Sequence, residues 1–164
     1  MKKVLYLHGL ESNQGGPKVD YLSTKCLVCA PKLDYKDPDC FQNIYKLLSE
    51  NDFDLIIGSS MGGYLGFIMG EIFEIPTILF NPALHSRSFE PNNHFKPQLG
   101  NTFHYIVLGN QDDIIDPNTT EKMLKDIIPN RIDGKSFKYY IENIEGMGHR
   151  IPLNIFITKT QHEL

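Results

Sequence analysis

The chain has 164 residues, of which 41% are hydrophobic and 22% charged, and its formal net charge is −4. This length and composition are typical of one globular domain, predicted to span residues 1–164. The acidic balance, with no Lys/Arg-rich run, argues against a nucleic acid or an anionic membrane as a partner.

The cellular compartment is indicated by the N-terminal segment and the cysteines. The start, MKKVLYLHGL, superficially resembles a signal peptide, but its apolar part is only Val4–Leu7, which is too short. No apolar run approaches the roughly 20 residues of a membrane helix. Three cysteines, an odd number, favour a reducing compartment over a disulfide framework. We therefore predict a cytoplasmic protein, and the oligomeric state stays open.

Short apolar runs alternate with helical patterns along the chain. These runs predict strands because they are short, largely β-branched or aromatic, and bounded by Gly, Pro or Asn. They are Val4–Leu7, Cys26–Cys29, Leu55–Ile57, Thr77–Phe80, Tyr105–Leu108 and Phe137–Ile141. Several are apolar at consecutive positions, which is typical of parallel strands covered on both faces.

Helix starts are predicted between these strands. Asp37-Pro38 predicts an N-cap followed by proline at the first helical position, and Asp116-Pro117 repeats the pattern with Pro129 as the stop. A third helix is predicted from about Met61 to Phe73. Its glycines recur every four residues, so this helix is expected to lie close against a sheet; they are Gly62, Gly66 and Gly70.

The element order predicts a compact α/β fold. We expect a mostly parallel, doubly wound sheet of about six strands, with helices on both faces and no large cap. The segment from Asn81 to Thr102 has no periodicity and is long for a plain connection. Such loops are often lids or binding loops, and the role of this one is left open.

The stretch GSSMGG places Ser60 between Gly58 and Gly62 in a G-x-S-x-G pattern, where a predicted strand meets a predicted helix. A nucleophilic serine on such a tight turn needs small residues two positions before and after it, because the backbone is crowded there. The turn also puts the hydroxyl beside helix-end amides that can stabilise negative charge. Ser60 is therefore the candidate nucleophile, and Ser59 is interpreted as a small residue filling the turn.

A reactive serine needs a base and a carboxylate that orients the base. In an α/β-hydrolase these follow the serine in the order acid, then histidine, each in a loop after a strand. Asp112 fits the acid position, with Asp113 as the alternative, and His149 alone among six histidines completes the order. No histidine stands near these carboxylates in sequence, so no metal site is predicted. The triad chemistry needs no organic cofactor, and none is predicted.

The oxyanion of an acyl-transfer intermediate needs two amide donors. The backbone of Met61, directly after the serine, is the first candidate. The second is the backbone of Leu10, because His8-Gly9 lets the chain turn toward Ser60 after the first strand.

In order along the chain, these motifs resemble the YqiA/YcfP family of small α/β-hydrolase-fold esterases. The matching segments are YLHGLESN (6–13), GSSMGGYLGF (58–67), FNPAL (80–84), QDDIID (111–116) and GMGH (146–149). The resemblance implies that Ser60, Asp112 and His149 form a catalytic triad.

Two classes of function follow from this pattern. The first is a serine hydrolase, an esterase or thioesterase acting on small carboxylic esters through an acyl-enzyme. The alternative is a catalytically weak or inactive binding module on the same fold. Arg87 is interpreted as a solvated loop cation, with binding of an anionic substrate group as the less favoured reading.

Overall fold

The structure, a computed structural model, describes residues 1–10, 12–90, 102–127 and 138–164, apart from the side chains of Ile127 and Lys138. Within these residues it has six strands and five helices. The strands are β1 (Lys3–Leu7), β2 (Leu27–Cys29), β3 (Leu55–Ser59), β4 (Thr77–Phe80), β5 (Phe103–Gly109) and β6 (Lys138–Ile144). The helices are α1 (Pro17–Ser23), α2 (Cys40–Ser49), α3 (Met61–Phe73), α4 (Pro117–Ile127) and α5 (Leu153–Thr160). None of the helices in this part of the chain has the length and hydropathy needed to cross a bilayer.

All strands belong to one sheet in the order β2-β1-β3-β4-β5-β6, and every neighbouring pair is parallel. This confirms the predicted doubly wound sheet. The chain runs from β1 outward to β2 and then returns past β1 to β3, so the direction of winding changes between β1 and β3. At such a point the carboxyl ends of the strands border a crevice, where ligands bind in open α/β sheets.

Two hydrophobic cores cover the two faces of the sheet. Alternate residues of one strand point to opposite faces, so Leu5 packs into one core and Tyr6 into the other. Leu65 of α3 and Leu124 of α4 belong to the first core, as do Phe41, Ile44 and Leu48 of α2. Leu22 of α1 and Phe156 of α5 belong to the second. Helices on both faces explain why the strands are apolar at consecutive positions.

The start of α2 differs from the prediction. The helix begins at Cys40 rather than at Pro38. The Asp37 carboxylate accepts a hydrogen bond from the Asp39 amide at 2.9 Å, and the Asp37 carbonyl accepts one from the Cys40 amide at 3.1 Å. Because Asp37 closes this local turn, Pro38 lies in the turn and not in the helix.

The other predicted boundaries agree more closely. The start of α4 at Pro117 is confirmed, and Asp116 caps it by accepting a hydrogen bond from the Thr119 amide at 2.9 Å. Three parts of the prediction lie outside the described residues. They are the helix stop at Pro129, the first residue of the last predicted strand at Phe137, and residues 91–101 of the long loop.

Helix α3 lies close on the sheet, as its glycines predict. A Cβ atom on Gly66 would stand 3.2 Å from the side chains of Ile56 and Leu79. One on Gly70 would stand 2.5 Å from the Thr77 side chain. Larger residues would push the helix outward, and this helix carries Ser60 at its start.

A buried polar cluster lies at the other end of α3. His104 Nε2 is 2.6 Å from Glu71 Oε1, and both side chains are fully buried. His104 Nδ1 is 2.7 Å from the hydroxyl of Thr77. A neutral ring protonated at Nε2 satisfies both contacts, because it donates to the carboxylate and accepts from the hydroxyl. The ring also stacks on Phe67, with 4.7 Å between the centroids.

Candidate active site

Ser60 occupies a strained turn between β3 and α3. Its backbone angles are φ 53° and ψ −119°, a conformation that residues other than glycine rarely adopt. A Cβ atom on Gly58 would lie 2.3 Å from the Gly62 carbonyl oxygen, and one on Gly62 would lie 2.1 Å from the Leu7 carbonyl oxygen. Both flanking positions therefore admit only glycine, which is the crowding that the sequence pattern predicts.

The structure brings the side chains of Ser60, His149 and Asp112 together. His149 Nε2 lies 3.1 Å from Ser60 Oγ, and His149 Nδ1 lies 2.8 Å from Asp112 Oδ2. In the tautomer that satisfies both contacts, Nδ1–H donates to Asp112 and Nε2 accepts from the serine hydroxyl. This arrangement can remove a proton from Ser60 and hold the resulting imidazolium beside a carboxylate.

Backbone amides fix the Asp112 carboxylate in this position. Its Oδ1 accepts hydrogen bonds from the amides of Ile114 at 2.8 Å and Ile115 at 2.9 Å, which leaves Oδ2 to face His149. The Asp112 side chain is fully buried, whereas 23% of the His149 side chain is exposed. Asp113, the alternative acid, is exposed to solvent.

Asn81, at the end of β4, links the loops that carry the acid and the histidine. Its Nδ2 donates to the carbonyls of Gly148 at 3.0 Å and His149 at 3.1 Å, and its Oδ1 accepts from the Gly109 amide at 2.8 Å. The residue is buried and has a φ of 42°, which asparagine tolerates better than most residues. Sequence reasoning noted the FNPAL segment but missed this positioning role. The available signal was an asparagine directly after a predicted apolar strand.

The two residues predicted to supply amide donors border the same cavity as Ser60. Leu10 and Met61 both line the cavity that Ser60 and His149 border. Met61 is the first residue of α3, so its N–H has no acceptor within the helix. A Cβ atom on Gly9 would lie 3.3 Å from Ser60 Cβ, which shows how closely the loop after β1 approaches the serine.

His8 anchors that loop. Its Nε2 accepts a hydrogen bond from the Leu33 amide at 3.0 Å, so its Nδ1–H donates to the Gly9 carbonyl at 2.8 Å. The Tyr35 hydroxyl donates to the His8 carbonyl at 2.5 Å. The imidazole of His8 is therefore a structural part of the loop that carries Leu10.

We expect the substitution His8→Ala to lower the free energy of unfolding by about 1–3 kcal/mol, because it leaves the buried Leu33 amide without its acceptor. Urea denaturation followed by circular dichroism measures this change. The substitution His162→Ala, in the exposed C-terminal tail, is the matched control and should have almost no effect. An equal effect of the two substitutions would contradict the anchoring role.

The cavity in front of Ser60 has a volume of about 640 Å³. Apolar side chains form part of its wall: Leu10, Met61, Ala83, Ile114, Ile115 and Ile151. Three cationic side chains also line it, Lys18, Arg87 and Arg150. Within the described residues, no group of three or more His, Cys, Asp or Glu side chains could hold a metal ion.

Arg87 is not the solvated cation that the sequence favoured. It pairs with Glu90 at 2.7 Å, and only 18% of its side chain is exposed. It also donates to the carbonyls of Ala83 and Leu84, and its guanidinium lies 4.2 Å from the centroid of the Tyr64 ring. These contacts hold the loop after β4 against α3, so Arg87 is part of the cavity wall.

Comparison with solved structures shows the fold. SOBER1 from Arabidopsis thaliana is 13% identical, with a TM-score of 0.69 over 98% of this chain and 96% of its own. Est1E from Butyrivibrio proteoclasticus is 14% identical, with a TM-score of 0.65 over 99% of this chain and 86% of its own. An α/β hydrolase enzyme from the sediment metagenome of the Mar Chica lagoon, Morocco, is also 14% identical, with a TM-score of 0.65 over 99% and 89%. The chain therefore has a compact α/β-hydrolase fold.

A family model matches most of this chain and establishes the protein family to which it belongs. The model of the uncharacterised protein family UPF0227 matches residues 3–111, which is about two thirds of the chain and includes β1, the Ser60 turn and FNPAL. This is the YqiA/YcfP family that the motifs resemble. The chain belongs to the UPF0227 family.

Proposed function

We propose that this protein is a serine hydrolase that cleaves small carboxylic esters or thioesters through an acyl-enzyme. The observation that carries the proposal is the contact of Ser60 Oγ with His149 Nε2, on a ring whose other nitrogen faces a buried carboxylate. A structural serine would not need a strained backbone, an imidazole and an oriented acid at once. The hydrolase fold of the similar structures supports the same class of reaction.

In the proposed reaction, Ser60 Oγ attacks the acyl carbon while its proton passes to His149 Nε2. The amides of Met61 and Leu10 stabilise the oxyanion of the tetrahedral intermediate. The bond to the leaving alcohol or thiol then breaks, and His149 donates its proton to that group. Water attacks the acyl-enzyme by the same route in reverse, with His149 as the base, and releases the carboxylic acid. Asp112 keeps His149 in the required tautomer throughout.

Hydrolysis of 4-nitrophenyl butyrate tests this proposal. We expect Ser60→Ala to lower kcat by at least about 10⁴-fold, because the nucleophile is lost. A fluorophosphonate probe should label the wild-type protein and not Ser60→Ala. Ser59→Ala is the matched control and should keep the label, because a hydrogen bond joins the Ser59 side chain to Tyr6 rather than to His149.

The probe also separates the two classes of function. A wild-type protein that is folded but takes no label would be the binding module on a hydrolase fold. Equal ester turnover by wild type and Ser60→Ala would contradict the proposed mechanism.

A further inference from the structure

The cavity in front of Ser60 has an unbalanced charge. Lys18, Arg87 and Arg150 line it, and among the described residues that line it none is acidic. This sign is opposite to that of the whole chain, which has 20 acidic and 16 basic residues. The described lining of the cavity is therefore cationic although the whole chain is acidic.

The three cations differ in their partners. Arg87 is neutralised by Glu90 at 2.7 Å. Within the described part of the chain, Lys18 contacts the ring of Phe156, and its Nζ lies 5.6 Å from the ring centroid. Arg150 is exposed, and the same part of the chain gives it no ion pair. Two cations at the cavity thus have no described counter-ion.

Burial removes part of the water around the Lys18 ammonium group, and none of the described residues forms an ion pair with it. Its side chain is half-buried, and burial lowers the pKa of its ammonium group below the ordinary value. A cation that is partly removed from water is stabilised when an anion approaches it. Arg150 follows His149 directly in the chain, so the second cation stands next to the proposed base.

We infer that the substrate carries an anionic group, a carboxylate or a phosphate, which Lys18 and Arg150 bind at the cavity. This inference rests on the proposed hydrolase function and names its substrate class. The ammonium of Lys18 can donate up to three hydrogen bonds to the oxygens of such a group, and the guanidinium of Arg150 can bind two oxygens at once. Bound there, the anion would hold the ester at Ser60 and the uncharged part of the acyl chain against the apolar wall.

Two matched pairs of esters test the inference and locate the anion. The first pair is 4-nitrophenyl hexanoate and 4-nitrophenyl hydrogen adipate, in which a carboxylate ends an acyl chain of equal length. The second pair is 1-hexanoylglycerol and its 3-phosphate, in which a phosphate stands on the leaving group. We expect the anionic member of one pair to have a kcat/KM about 10-fold higher than its neutral partner. The pair that shows this preference identifies the source of the anion.

Charge variants connect the preference to the two cations. Lys18→Gln and Arg150→Gln should each reduce the ratio of anionic to neutral kcat/KM toward one, whereas Lys18→Arg and Arg150→Lys should retain most of it. Lys122→Gln removes one exposed positive charge on α4, away from the cavity, and should leave the ratio unchanged. Added salt should weaken the preference, because it screens the exposed charge of Arg150.

The outcomes distinguish this inference from the proposed function. Hydrolysis of both neutral esters without any preference for the anionic ones would overturn the inference and leave the hydrolase intact. A preference that survives both glutamine substitutions would also overturn it. Failure to hydrolyse all of the esters would overturn the inference together with the proposed function.

Discussion

The substitution Asp112→Asn is expected to lower kcat for 4-nitrophenyl butyrate by about 10³- to 10⁴-fold. An asparagine can keep the hydrogen bonds from the Ile114 and Ile115 amides through its oxygen. Its NH₂ group would then face His149 Nδ1, which would have to accept rather than donate. The ring would carry its proton on Nε2 and could no longer take the proton of Ser60.

Asp113→Asn is the matched control for this prediction. It makes the same chemical change one residue along the chain, at an exposed side chain, and should leave kcat almost unchanged. Thermal unfolding of both variants checks that Asp112→Asn remains folded. A large loss of kcat in Asp113→Asn, with none in Asp112→Asn, would assign the acid to the other residue.

The substitution Glu71→Ala is expected to lower the free energy of unfolding by about 3–5 kcal/mol, because it leaves the buried Nε2–H of His104 without its acceptor and opens a cavity where the glutamate side chain packed. The His104 ring would lose the carboxylate that stands 2.6 Å from its Nε2. Urea denaturation measures the change. The isosteric Glu71→Gln should be less harmful, since an amide oxygen can still accept from Nε2–H.

An exposed glutamate provides the control for this second prediction. Glu50 stands 3.9 Å from Lys46, with 61% of its side chain exposed, and Glu50→Ala should change the free energy of unfolding by less than about 1 kcal/mol. The kcat of folded Glu71→Ala should stay near that of the wild type. Glu71 lies ten residues after Met61 in α3, about 15 Å along the helix axis from the Ser60 turn. Equal destabilisation by both alanine substitutions would contradict the role of the buried pair.

The residues proposed for the reaction were identifiable from sequence because their chemistry restricts both residue type and place. Ser60 needs a glycine two positions before it and another two positions after it. The structure shows why, because a Cβ atom on Gly62 would stand 2.1 Å from a backbone oxygen. Parallel strands bring their carboxyl ends to one edge, so loops far apart in sequence meet there. The order of Ser60, Asp112 and His149 along the chain was therefore enough to predict that their side chains meet, without any measured distance between them.

Other features could not be read from sequence because they depend on local turns and on helix placement. Asp112 and Asp113 are adjacent and chemically identical, and only the fold of the following turn decides which of them meets two amides. Asp37 has the residue type of an N-cap, yet its carboxylate closes a turn before α2. Lys18 belongs to no recognisable sequence motif. It reaches the cavity because α1 packs beside α5 on one face of the sheet.

The amide group of Asn81 has a consequence for how such a protein can change over time. A single side chain ties the segment that ends with His149 to the end of β5 at Gly109. Beyond the turn that holds Asp112, the connections between these anchor points can then lengthen, shorten or exchange sequence while the imidazole keeps its place. The intervening loops can therefore diversify the substrate range, provided that Asn81 is retained and continues to bind the two backbone carbonyls.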